Sequence, residues 1–175
     1  MVHVSIQHII GTVALIGLVV SLALAYQIIV VSVETSVLKT QLNQVAEYVS
    51  MCISNVMSLT DFTYGIFKEY VTVSMNLDLP ADLGGKVYVI RFVNETGGLY
   101  VLVEVPGRRD LYAKSSISVN PTSNIQVVVD ENFAPSDPTV EPKSHIYGGN
   151  PNAIVWCEVR GDVLYIGLGL RRPSG

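Results

Sequence analysis

The residues able to do chemistry are few, and their spacing suits little of it. No GxSxG, P-loop, HExxH or Rossmann fingerprint occurs in the 175 residues. His145 lies in a proline-rich stretch, and no pattern ties it to a serine and a carboxylate as nucleophilic catalysis requires. His3 and His8 are five apart, which on a helix puts them on different faces. Glu131, Asp137 and Glu141 lack the spacing of a calcium loop. Only two cysteines are present, with no CxxC, so neither a metal nor a cofactor is expected, and no enzyme activity. Cys52 falls on a predicted helix and Cys157 in a predicted strand. A disulfide between them is one reading, two buried free thiols the other. The net charge is −4 and the basic residues form only isolated pairs, Arg108-Arg109 and Arg171-Arg172. No nucleic-acid partner is expected from such a balance.

Three further features carry chemical meaning. Asn94-Glu95-Thr96 is an N-x-T sequon on a predicted hairpin tip, which makes Asn94 a candidate glycan acceptor in an exported protein. Arg160-Gly161-Asp162 is explained by the turn preference of Gly-Asp. Tyr88, Tyr100, Tyr112, Tyr147 and Tyr165 join apolar bodies to polar tips. Half-buried strand positions explain them, and a sugar- or surface-binding patch is the alternative.

The elements that must position these groups begin with one long helix. Met1 to Val33 contains no Asp, Glu, Lys or Arg, and Ile9–Val31 is nearly all Ile, Val, Leu, Ala and Gly. That exceeds the ~20 residues a helix needs to cross a bilayer. The N-terminus lacks a Lys/Arg n-region, and the apolar run exceeds the ~7–15 residues of a signal-peptide core. Ala23-Leu24-Ala25 mimics a cleavage site but is not read as one, because the helical pattern runs straight through it. Gly11, Ala14, Gly17 and Ser21 recur at spacings of three and four and mark a small-residue face.

No proline precedes Pro80. The helix is therefore expected to continue through Ser32–Leu59, roughly 55–60 residues and ~80–90 Å in all. Beyond Glu34 its apolar residues turn periodic. Leu38, Leu42, Val45, Val49, Cys52, Val56 and Leu59 alternate steps of four and three, a heptad seam. Thr60-Asp61 offers a break, with Phe62–Tyr70 as a turn or short helix.

From Tyr70 the period becomes two, with Val71, Val73, Met75, Leu77 and Leu79 alternating with polar residues. Lys86–Val93 and Leu99–Val105 read as a hairpin with a loop at residues 94–98. Leu111–Ala113, Ser116–Val119 and Ile125–Asp130 read as further strands. Phe133–Asn152, with four prolines, reads as a long surface loop. Ala153–Val159 and Val163–Leu170 close the chain around Gly161-Asp162. The expectation is an α+β protein, a long hydrophobic helix over 1–60 followed by an antiparallel β-sandwich over 61–175. The helix divides into an apolar half, 1–33, and an amphipathic half, 34–60.

This plan resembles archaeal type IV pilins, the resemblance resting on Ile9–Val20, on Leu38–Leu59 and on the all-β remainder. It implies that a prepilin peptidase removes a short basic leader, which would lie before Met1. It implies that the subunit waits in the cytoplasmic membrane and that a pilus assembly machinery draws it into a homo-polymer. The helices then form the core and immunoglobulin-like heads coat the outside. Ile9, Ile10, Gly11, Ala14, Gly17, Ser21 and Leu24 would pack helix on helix, and the seam from Leu38 to Leu59 would join helix to head. Bacterial type IV pilins are less similar, many carrying glutamate where this chain has Ser5. An archaellin, or a membrane-anchored β-sandwich stator protein, is the alternative within the same plan.

Overall fold

The computed structural model describes residues 2–67, 71–95, 98–118 and 124–172. One helix, α1 (Val2–Phe67), precedes nine strands. These are β1 (Thr72–Asn76), β2 (Val89–Glu95), β3 (Gly98–Glu104), β4 (Tyr112–Ser116), β5 (Asn124–Val128), β6 (Val140–Lys143), β7 (Ile146–Tyr147), β8 (Ala153–Arg160) and β9 (Val163–Arg171). The architecture is α+β. Packing divides the chain into two compact units, Met1–Val37 and Leu38–Gly175, so α1 from Leu38 onward belongs with the strands.

The helix does not break at Thr60-Asp61. Thr60 is buried, and its hydroxyl donates back to the Val56 carbonyl at 2.7 Å rather than capping a new start. Thr63 does the same to Leu59 at 2.8 Å, so both hydroxyls are satisfied without leaving helical geometry.

The strands form two sheets. In one, β4-β3-β2-β7 are neighbours. In the other, β1-β8-β9-β5 are neighbours and β6 also pairs with β9. The β2–β3 register runs to Glu95↔Gly98, so the connection is two residues rather than five, and Asn94 lies in the strand opposite Leu99. Thr96 of the sequon lies outside the described residues, as do Tyr70 and Val119. One strand, β4, replaces the two short ones expected around Ala113.

Two differences are larger. The expected surface loop at 133–152 contains β6 and β7, and it buries Val140, Pro142 and Ile146. Pro142 enters the β6–β9 ladder opposite Gly169, whose bare Cα permits the close approach: a Cβ there would stand 2.8 Å from the Glu141 carbonyl. The sheet is also mixed, because β5 runs parallel to Val163–Gly167 of β9. Such a pairing needs a long crossover, and β6 to β8 supply it.

Apolar residues of α1 (Leu42, Val49, Ile53), of β2 and β3 (Ile90, Val101, Val103) and of β8 and β9 (Val155, Ile166, Leu168) share one core. A second cluster lies on the other face of β8, where Ile154 and Trp156 meet Val128 and Val140 under Phe133. Residues 153–159 are therefore buried on both faces, and alternation is lost from the sequence there. Gly161 takes φ +60 in the β8–β9 turn, a conformation that glycine adopts without steric cost.

Candidate assembly helix and its anchoring

The first unit is helical and apolar on every side. From Ile9 to Val33 the large apolar side chains other than the half-buried Val30 range from 52% exposed at Val20 to 70% at Ile28, so no continuous face of the stretch is covered. A helix apolar all round belongs inside something. The stretch is long and apolar enough to cross a membrane. Two of its hydroxyls are satisfied internally, Thr12 donating to the His8 carbonyl and Ser21 to that of Gly17, each at 2.8 Å. Neither then needs an acceptor from outside in an apolar surrounding.

Ile9, Ile10, Gly11, Ala14, Gly17, Ser21 and Leu24 are all exposed. A Cβ built on Gly11 or Gly17 meets nothing within 4 Å. The protomer itself thus gives no reason for either glycine, although each weakens an exposed helix by ~1 kcal/mol relative to Ala.

In the second unit, Leu38, Leu42, Val45, Val49, Cys52 and Val56 are buried, whereas Leu59 is 49% exposed. Ile53, Met57 and Thr60 are buried in its place. From Val49 the inward steps are four, three, four (Ile53, Val56, Thr60) rather than a strict heptad. A straight helix drifts ~20° per heptad against a seven-residue repeat, and by Leu59 that drift has turned the residue outward. The signal was in the sequence, in Ile53 and Thr60. Ser50 adds a polar tie, donating to the Ser116 carbonyl at the end of β4 at 2.6 Å.

Cys52 and Cys157 are both free and buried, so no disulfide joins helix to strand. Cys157 lies beside Thr60, which is two turns beyond Cys52 on α1. Burial pushes the Cys157 thiol well up, with the Thr60 hydroxyl opposing.

The other candidates separate. Asn94 is exposed at the end of β2. His145 Nδ1 is 3.0 Å from Ser144 Oγ, but the carboxylate there, Glu131, accepts from the serine at 3.1 Å instead of orienting the imidazole. A catalytic triad needs the reverse order. Asp137 caps Thr139, and Glu141 pairs with Lys143 and Arg172, so Glu131, Asp137 and Glu141 each serve a local contact. Among the described residues no cluster of His, Cys, Asp or Glu could hold a metal.

One group escaped sequence reasoning. Glu158 on β8 is fully buried and its carboxylate gathers four donors. Thr72 Oγ1 donates at 2.6 Å, the Ser136 amide and hydroxyl each at 2.8 Å, and Arg160 Nε also donates. Burial works to raise its pKa, but the donors outweigh it and hold the carboxyl below its ordinary value. Arg160 continues to the Ala134 carbonyl and stacks over Phe133, 4.6 Å from the ring centroid. This clasp ties the 133–137 segment to β1 and β8.

No protein-family model, curated protein or solved structure matches the chain.

Proposed function

We propose that the chain is the structural subunit of an archaeal type IV pilus-like extracellular filament, serving adhesion to surfaces or cells. The observation that carries this reading is the uncharged helix exposed on all sides between Ile9 and Val33. Lipid covers it before assembly, and copies of the same helix cover it afterwards. Its partners are accordingly the cytoplasmic membrane, a prepilin peptidase, an assembly machinery and other subunits. The remainder, read as a variant immunoglobulin-like sandwich with α1 sharing its core, stays in solvent. Its role is structural and not catalytic.

The driving force is adequate. Burying what remains exposed of the large apolar side chains from Ile9 to Val33 contributes ~1–2 kcal/mol for each. A head-to-tail contact that does not close then yields a fibre. The two glycines support helix–helix contact over lipid alone, because small residues let backbones approach closely where lipid requires no such thing.

Substitution Gly17→Leu tests the proposal. It preserves apolarity, and nothing in the protomer obstructs it. Membrane residence should be unchanged, while sheared surface fractions, which carry filaments by negative-stain microscopy in the parent, should lose them. Recovery of the parent chain only in the membrane fraction, with no filament, would sink the proposal in favour of an anchored binding protein. A swimming assay on the same strains separates a pilus from a motility filament.

A further inference from the structure

The outward face of the four-stranded sheet carries a second site. Directly paired residues share a face of a sheet, so Tyr147, Val89, Glu104 and Tyr112 form one row across β7, β2, β3 and β4. Arg91, Leu102 and Lys114 form the next. Ile90, Phe92, Val101 and Val103 point the other way, into the core. At the β7 end of this face lies a shallow groove of about 360 Å³, bounded by Tyr147 and His145 on one side and by Arg91 and Glu104 on the other. Val89 and Pro106 supply its apolar lining, and Ser144 a hydroxyl.

The chemistry of this lining selects one kind of ligand. Arg91 lies 3.1 Å from Glu104, so the two charges cancel while their remaining donors and acceptors stay in fixed planar arrays. Ser144 is bonded to Glu131 and His145, and Glu131 is itself paired with Lys143 at 4.0 Å, so neither carboxylate at the groove stands alone. Tyr147 is 51% exposed, and the His145 ring meets it edge-on at 5.4 Å between centroids, fixing the tyrosine at the rim. An exposed aromatic ring beside a neutral set of planar donors and acceptors suits a molecule with one apolar face and many hydroxyls. We propose that this groove binds a neutral sugar unit, its C–H face against Tyr147 and its hydroxyls toward the Arg91–Glu104 pair. The groove lies wholly in the second unit, so the inference goes beyond the assembly reading and can fail apart from it.

The test is saturation-transfer NMR on the full chain in a non-glycosidic detergent, with glucose, galactose, mannose and N-acetylglucosamine each offered at millimolar concentration. Transfer to the ring C–H protons of at least one sugar is expected. Tyr147→Ala should weaken that binding about tenfold, the order of one lost aromatic contact, and Tyr147→Phe should retain it. Tyr112→Ala, on the same face but ~14 Å away across three strand spacings, should leave it unchanged. Unaltered fluorescence of Trp156, on the other sheet, would show that the variants are folded. No transfer from any of the four sugars, transfer indifferent to Tyr147→Ala, or displacement of the sugar by equimolar sulfate would overturn the proposal.

Discussion

Glu158→Gln is the substitution that asks most of the structure. The carboxylate is fully buried and receives two donors at each oxygen, Thr72 and the Ser136 amide at Oε2, the Ser136 hydroxyl and Arg160 at Oε1. An amide of the same shape keeps one oxygen for Thr72 and the Ser136 amide. Its nitrogen can donate to the Ser136 hydroxyl, which rotates to accept, but it opposes Arg160 Nε with a second donor. One charge-assisted bond is lost and the others become neutral, so the cost is about 2–3 kcal/mol. Because Arg160 is partly exposed, the lower end is the better expectation. For a chain of this size that corresponds to a fall in Tm of roughly 4–12 °C. The dependence on pH has a definite sign. The folded pKa lies below the ordinary value, so the carboxylate's stabilisation is fully present above the unfolded pKa and is lost as pH falls through the folded one. The difference between parent and variant should hold steady near neutrality and shrink in acid, below the ordinary carboxyl value of about 4.5. Thermal unfolding in detergent, followed by the single tryptophan, reads this directly, since Trp156 stacks on Phe133 in the segment the clasp holds. Equal stability of parent and variant at neutral pH, or a gap that persists unchanged in acid, would refute the reasoning.

Three other expectations follow from packing. Leu42→Ala should destabilise by ~2–5 kcal/mol because the side chain is fully buried, whereas Leu59→Ala should cost about 0.5 kcal/mol or less; urea titrations of the two variants compare them. Gly167→Ala should cost about 1–3 kcal/mol, since a Cβ there would lie 2.6 Å from the buried Trp156 ring, and a shifted tryptophan emission should accompany the loss. Both thiols should resist alkylation until the chain unfolds, with Cys157 the slower where it is enclosed beside Thr60, and reductant should leave Tm unchanged; mass spectrometry after timed labelling measures this.

Much of this arrangement was legible because it is local. The apolar helix, the shift to a one-sided pattern after Glu34, the alternation in β1 and the β8–β9 turn at Gly161 each rest on neighbours in sequence. What escaped is non-local. β6 is a strand only because β9 offers an edge with glycine opposite Pro142, and no feature of Val140–Lys143 announces it. The parallel pairing of β5 with β9 depends on a crossover through three intervening strands. Glu158 reads as a lone charge in an apolar strand, and the partners that make its burial tolerable stand 22 and 86 positions away. Leu59 differs from the heptad expectation for another reason: a seven-residue repeat drifts against the 3.6-residue turn of an α-helix, and the drift accumulates along its length.

The same periodicity bears on how copies of the chain could meet. From Leu38 to Thr60 the seam is one-sided and the protomer's own strands occupy it. Residues 9–33 show no such one-sided seam, large apolar side chains being exposed all around the helix. Hydrophobicity by itself therefore cannot choose one packing register among many, because every rotation of the helix buries a similar area. Only features that vary around the circumference can choose, and the small residues Gly11, Ala14, Gly17 and Ser21 are one such feature. Ser21 leaves its position small in effect as well as in size, since its hydroxyl is turned back onto Gly17. In the proposed filament, apolarity would supply the affinity, for lipid and for other helices alike, and the small face would supply the geometry that distinguishes a specific polymer from a helix merely dissolved in a bilayer.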